Sequence, residues 1–298
     1  MIRPYDQLSV LLAVESLKKF GGELSKCKVL CLKSDEQKDY STTILKKFDR
    51  LEVEILFVHI EKMTEDYPFS DKIFAGARAE EYLENKVESF VWLDSDTMFI
   101  HEPSAFHIDD RFSLAYKPVH GKNIGIEYKT LLDPFWEKIY NICDVNYDKI
   151  FSVISMMDRK SINFYINAGC FVSKTKNKIF NNWLYYFNKA LKDQEILSII
   201  ESDKLKKLFF HQAILSAVIL NKYSKDSLLE LPFNYNYPLH MHISSIESFK
   251  PLKLQELVTV RYDDWEFWPR SFDLKNIIQI DEPHFSWLKE FLRINDEF

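Results

Sequence analysis

Glycine is scarce in this 298-residue sequence, at six residues, and proline is limited to ten. That leaves little material for a loop-dominated, repetitive or low-complexity chain. Cysteine is rarer still: Cys27, Cys31, Cys143 and Cys170. Cys27 and Cys31 flank a KVL run, while Cys143 and Cys170 stand far apart, so no second pair completes a zinc pattern. Buried free thiols in a reducing compartment are expected instead. A basic excess is also absent, since 39 Lys and Arg face 45 Asp and Glu for a net charge of −6. This argues against a nucleic-acid surface. No apolar window reaches the length of a membrane span. The N-terminal stretch MIRPYDQLSVLLAVESLKKF interrupts its leucines with Glu15 and Ser16 in a helical rhythm and has no small-residue cleavage site. It reads as a helix, not a secretory signal, and a soluble, cytoplasmic protein is expected.

What is present is core material: 46% hydrophobic residues and 15% aromatics. These proportions exclude disorder as the default and are compatible with one large domain over residues 1–298. Helical periodicity predicts a helix over 6–20, stopped by Gly21-Gly22, and further helices over 38–48, 71–85, 134–142, 178–192 and 207–220. Short apolar runs predict strands over 28–32, 53–58, 90–93, 112–116 and 256–262, with INFYINAGCFVS between 161 and 173. Residues 231–242, LPFNYNYPLHMH, read as an ordered loop. Helices alternating with strands predict an α/β layer fold with a mostly parallel central sheet.

The stretch that organises these elements is FVWLDSDTMFI, residues 90–100. A buried strand that runs into Asp94 and Asp96 places two carboxylates at the edge of a core, which is costly unless a cation or donor meets them. A hard divalent metal would do so and could bridge to phosphates. In open α/β sheets, ligand sites lie at the carboxyl ends of strands. Asp-x-Asp after an apolar strand also occurs in haloacid-dehalogenase-like phosphatases, where the first Asp is the nucleophile. Those enzymes carry Thr or Val four positions after it, whereas here Thr97 is three positions on and strands precede the motif.

FVWLDSDTMFIHEPSAF resembles the Asp-x-Asp strand of GT-A-fold nucleotide-diphospho-sugar transferases, in particular the family 8 glycosyltransferases. The preceding helix bears Lys72 and Arg78, and Glu102-Pro103-Ser104 matches the turn that follows the motif. FYINAGCFVSKTK resembles the family's Asn-Ala-Gly segment. HQAILSA resembles its acid-Gln helix, with His211 where an acid is usual, and LPFNYNYPLH resembles its Leu-Pro…Asn loop. The four motifs stand in the family's order across roughly residues 6 to 262.

The resemblance implies a GT-A (Rossmann-like) domain, with a nucleotide-binding half over about 1–116 and a donor-sugar and acceptor half over about 117–298. It implies transfer of a sugar from a nucleotide-diphosphate donor to an unknown glycan, lipid or protein acceptor. Asp94 and Asp96 would hold a divalent ion, Mn²⁺ or else Mg²⁺, against the diphosphate, with Asp263 as a third ligand, or else Arg261 would contact the phosphates directly and lessen the need for a metal. Lys72, Arg78, Lys117, Asn167, Gly169 and Arg261 would contact the donor, and His211 and Gln212 would line the reacting centre. The family's base-binding first strand would be missing here or reduced to Ile2-Arg3. A non-catalytic protein that keeps the fold as a scaffold is the alternative from a different class.

Overall fold

The computed structural model describes residues 6–34, 39–60, 67–243, 246, 250–262 and 277–295; Ile2-Arg3 and Asp263 lie outside them. Helix α1 (Asp6–Phe20) carries its leucines on one face, and Leu8, Leu11 and Leu12 are buried. The helix closes where the Gly21 amide bonds back to the Leu17 carbonyl, and Gly22 then turns the chain at φ +56. Strands β1 (Val29–Ser34) and β2 (Val53–Val58) pair in parallel, Val29 opposite Val53. Between them runs α2 (Thr42–Arg50), whose first turn is capped by the Ser41 hydroxyl accepting the Ile44 N–H.

Helix α3 (Ser70–Leu83) leads to β3 (Ser89–Leu93). Beyond the Asp94-Ser95-Asp96 turn comes β4 (Thr97–Phe99), then β5 (Leu114–Pro118). Next are α4 (Pro134–Ile142) and the antiparallel pair β6 (Ser152–Ile154) and β7 (Ser161–Asn163). Strand β8 (Ile166–Lys174) follows, then helices α5 (Ile179–Ala190), α6 (Gln194–Ser202) and α7 (Lys204–Lys222). The order closes with β9 (Leu228–Glu230), β10 (Tyr237–Pro238), β11 (Thr259–Arg261) and α8 (His284–Asn295).

One sheet has the order β3-β8-β5-β9 and another the order β10-β11-β4. All nine residues of β8 are buried, as expected of a strand covered on both faces. Helix α7, buried from Phe210 through Leu220, packs against β8, α4, α5 and α6. Asp133, Asp193 and Asp203 cap α4, α6 and α7 with their side chains. The larger core joins these helices to β5 and β8 through Trp136, Tyr140, Phe164 and Trp183. A second core joins α1, β4, β10, β11 and α8. The turn at residues 94–96 links the two sheets, and so stands between the two cores.

The α/β class is as expected, but the sheet is mixed rather than mostly parallel. Of the seven strand pairings among the described residues, four are antiparallel, including both partners of β8. Strands β4, β6, β9 and β10 were not expected, because two or three residues are too few to show a period. Helices α6 and α8 were also unforeseen, although Ile196 and Ile200, four apart and buried, carry a legible signal in α6. Cys31, Cys143 and Cys170 are buried free thiols, whereas Cys27 is exposed. No described helix is long and apolar enough to cross a membrane.

Candidate active site

Backbone pairing brings the two acids to their cations. The β3–β8 ladder extends one residue past Leu93, where the Asp94 N–H donates to the Gly169 carbonyl at 2.9 Å. On the other side of the turn, β4 lies antiparallel to β11 with Thr97 opposite Arg261, and the Tyr262 N–H donates to the Asp96 carbonyl at 3.1 Å. Arg261 is thereby set beside both acids. Its Nε donates to Asp96 Oδ2 at 2.9 Å, and its guanidinium lies 3.2 Å from Asp94 Oδ2. Lys72, on the first turn of α3, reaches Asp94 Oδ1 at 2.6 Å, with its ammonium 5.2 Å from the Phe69 ring centre. Among the described residues, two carboxylates and two cations thus form one mostly buried group whose formal charges balance. Burial works to raise the Asp94 pKa, but Lys72 and Arg261 hold it below the ordinary carboxylate value.

Gly169 makes room for this group. A Cβ at that position would run into the Asp94 carboxylate, so only glycine lets β8 pass so close. Asn167, two residues earlier, accepts the Gly169 N–H at 2.7 Å and holds that segment in place. Gln212 braces it from α7 by accepting the Ala168 N–H at 3.1 Å. Next to it on α7, His211 bonds the Leu208 carbonyl through Nδ1 at 3.1 Å, and its ring lies 4.8 Å from Phe69. Burial, and then Lys72, push His211 down to about 3, so its imidazole is neutral at pH 7.

On the far side of Asn167 sits a second polar group. The Nε2 of His120 lies 3.4 Å from the Asn167 amide nitrogen and 3.2 Å from that of Asn236. Asn236 is 1% exposed and adopts φ +50, a left-handed conformation that Asn tolerates better than most residues. Burial and the Arg261 charge drive the His120 pKa well below its usual value. The structure therefore brings Asp94, Asp96, Lys72, Arg261, Asn167, Gly169, His211 and Gln212 together, with His120 and Asn236 beside them. Asn236 was missed by the sequence reading; its signal was the NYNYP run, where an asparagine suits a positive φ.

Two expected donor contacts are corrected. Arg78 is half exposed and pairs with Glu81 at 3.6 Å. Six residues after Lys72 on a helix of 3.6 residues per turn, it points to a different face. Lys117 is buried on β5, and its ammonium donates to the Leu231 and Pro232 carbonyls at 3.1 and 2.9 Å. It ties β5 to the loop after β9 and does not join the acids.

The expected divalent ion meets a different chemistry. Such an ion can be held by one or two carboxylates, with waters and substrate phosphates completing its shell; no cluster of three His, Cys, Asp or Glu occurs among the described residues, and Asp263 lies outside them. Asp94 is engaged on both oxygens, by Lys72 and by Arg261, and Arg261 also holds Asp96. The ion would have to displace a guanidinium from between its own ligands. As placed, the Arg261 guanidinium stands where such an ion would bridge the two acids.

The profile of the Rhodobacterales glycosyltransferase domain matches residues 4–221. Among solved structures, the galactosyltransferase LgtC in complex with donor and acceptor sugar analogs superposes with TM-score 0.51 at 12% identity, covering 96% of this chain and 97% of that one. An active-site mutant of LgtC gives TM-score 0.50, again at 12% identity and with coverage of 96% and 97%. The apo form of mouse xyloside xylosyltransferase 1 gives TM-score 0.48 at 10% identity, covering 87% and 92%. No curated protein sequence matches. At such identities the LgtC likeness establishes the GT-A fold alone, and the sequence profile supplies the family. The chain belongs to the Rhodobacterales glycosyltransferase domain family.

Proposed function

We propose that this glycosyltransferase takes its sugar from a nucleoside-diphosphate donor bound at the Asp94–Asp96 turn. The observation that carries this reading is the buried chain Lys72–Asp94–Arg261–Asp96 alongside the close backbone approach at Asn167–Gly169. In transfer, the bond from the anomeric carbon to the diphosphate oxygen breaks and its electron pair stays on that oxygen. The acceptor hydroxyl oxygen forms the new bond and releases its proton to water. Charge grows on the departing diphosphate, and preorganised cations aimed at it lower the barrier more than they would in water. Lys72 and Arg261 are such cations. Asn167, Asn236 and His120 offer amide and imidazole groups suited to sugar hydroxyls, and Gln212 positions the segment that carries Asn167.

A panel of UDP- and GDP-sugars, each assayed for nucleoside-diphosphate release in EDTA and in Mn²⁺, tests the reading. Release is expected with at least one donor, and Asp96→Asn should lower it by about 100-fold, since Arg261 loses a charged partner and its orientation. If no donor turns over and neither UDP nor GDP binds in either condition, the protein is a scaffold that keeps the fold without the chemistry.

A further inference from the structure

We propose that Arg261 is the resident cation of this site, neutralising the donor diphosphate where a divalent metal would otherwise stand. The inference rests on the nucleotide-sugar reading above. Its first support is position. Arg261 bridges the two acids, with Nε at 2.9 Å from Asp96 and NH1 at 3.2 Å from Asp94. A metal bridging the two acids through these oxygens would meet the guanidinium.

Its second support is charge. Two carboxylates with one divalent ion sum to zero, and so do two carboxylates with one guanidinium and one ammonium. Lys72 and Arg261 therefore reproduce the electrostatic balance of a metal-loaded pair. Displacing Arg261 from the acids would break ion pairs made by a guanidinium whose side chain is only 21% exposed, and breaking a buried pair is unfavourable.

Its third support is fit to the ligand. A guanidinium carries five N–H donors in a rigid planar fork, enough to serve two carboxylates and a phosphate at once, and its geometry matches phosphate oxygens. The β4–β11 register and the Tyr262–Asp96 backbone bond set where that fork stands. In this arrangement the acids hold cations for the diphosphate instead of holding a metal for it. Arg261 contacts the substrate, so it is catalytic, and Asp94 and Asp96 position it.

Isothermal calorimetry with UDP and with GDP, in EDTA and in Mn²⁺, tests the proposal on wild type and on Arg261→Gln, Arg261→Lys and Arg261→His. Wild type should bind in EDTA, with Mn²⁺ leaving the affinity unchanged, and Mn²⁺ alone should not raise its Tm. Arg261→Gln should bind roughly 10- to 100-fold more weakly, the loss expected for one charged hydrogen-bond partner. Arg261→Lys, which keeps the charge and guards against a variant that merely fails to fold, should fall between the two. Arg261→His, which vacates the acids and adds an imidazole, should gain affinity on addition of Mn²⁺. Wild-type binding or turnover that needs Mn²⁺ overturns this inference and leaves the glycosyltransferase reading intact. Absence of nucleotide binding and of donor turnover in both conditions overturns both.

Discussion

Lys117 sits in an environment that its surroundings in the sequence do not announce. It follows FSLAY as an expected donor contact, yet its side chain is almost wholly buried against the Leu231 and Pro232 carbonyls, and burial lowers its pKa to about 8. The folded protein therefore gives up this proton before the unfolded chain does, whose lysines titrate near 10.5. Between about pH 8 and 10.5 the unfolded state binds more protons, so stability rises with pH in that window, by up to about 1.4 kcal/mol per pH unit. Below pH 8 both states carry the charge and the contribution is flat. Buried thiols work the other way, since burial pushes Cys170 up to about 12; comparing wild type with Lys117→Met cancels them. Urea unfolding at pH 8 and pH 10 should show wild type gaining stability relative to Lys117→Met. A constant difference between the two proteins would mean that Lys117 titrates as an ordinary surface lysine.

At the scale of elements, the site depends on how closely β8 passes the end of β3. Asp94, Asn167 and Gly169 are all in mutual reach because the β3–β8 pairing places Leu93 opposite Cys170. The Gly169→Ala side chain has no space beside the Asp94 carboxylate. Either β8 shifts or Asp94 leaves Lys72 and Arg261, at a cost of about 1–3 kcal/mol for an overpacked position. Urea unfolding should record that loss, and calorimetry should record weaker nucleotide binding. An alanine variant with wild-type stability and affinity would show that the close approach is not needed. The Asn-Ala-Gly segment was legible in the sequence because glycine and asparagine announce a special backbone. Gln212 stood out for its place at the head of an apolar helix, but its hydrogen bond to Ala168 belongs to the packing of α7 on β8, which no local pattern encodes.

At the scale of the whole molecule, α8 closes the second core. Leu288 and Phe291 are buried there with Leu11, Tyr237 and Val260. His284 Nε2 lies 2.8 Å from the Ile100 carbonyl, and its ring stacks on Phe20 at 4.2 Å. The end of the described chain is thus packed onto α1 and the end of β4. Val260, next to Arg261, shares that core, so α8 supports the site from behind. Leu288→Ala should destabilise the fold by about 2–5 kcal/mol, the range for a buried Leu truncation, out of a typical total of about 5–15 kcal/mol. A lower Tm and urea midpoint would register it; a loss under about 1 kcal/mol would mean that the site of Leu288 collapses freely around the missing atoms.

The sequence alone determined what is local. Apolar period gave the early helices and strands, and charge balance and cysteine spacing argued against a nucleic-acid surface and a zinc site. A charged strand end at Asp94 and Asp96 pointed to the place where chemistry would be held. Helix phase could also have separated Lys72 from Arg78, since six residues do not return to the same face. Only the tertiary structure decided what meets those acids. Arg261 lies 165 residues from Asp96 and comes to it through the β4–β11 register. β11 falls in a run that the sequence marks as a strand, but β4 is too short to announce itself, and their pairing follows from two cores closing around them. Whether two carboxylates stand ready for a metal or already hold a guanidinium depends on that pairing, so it could not be read from either stretch of sequence by itself.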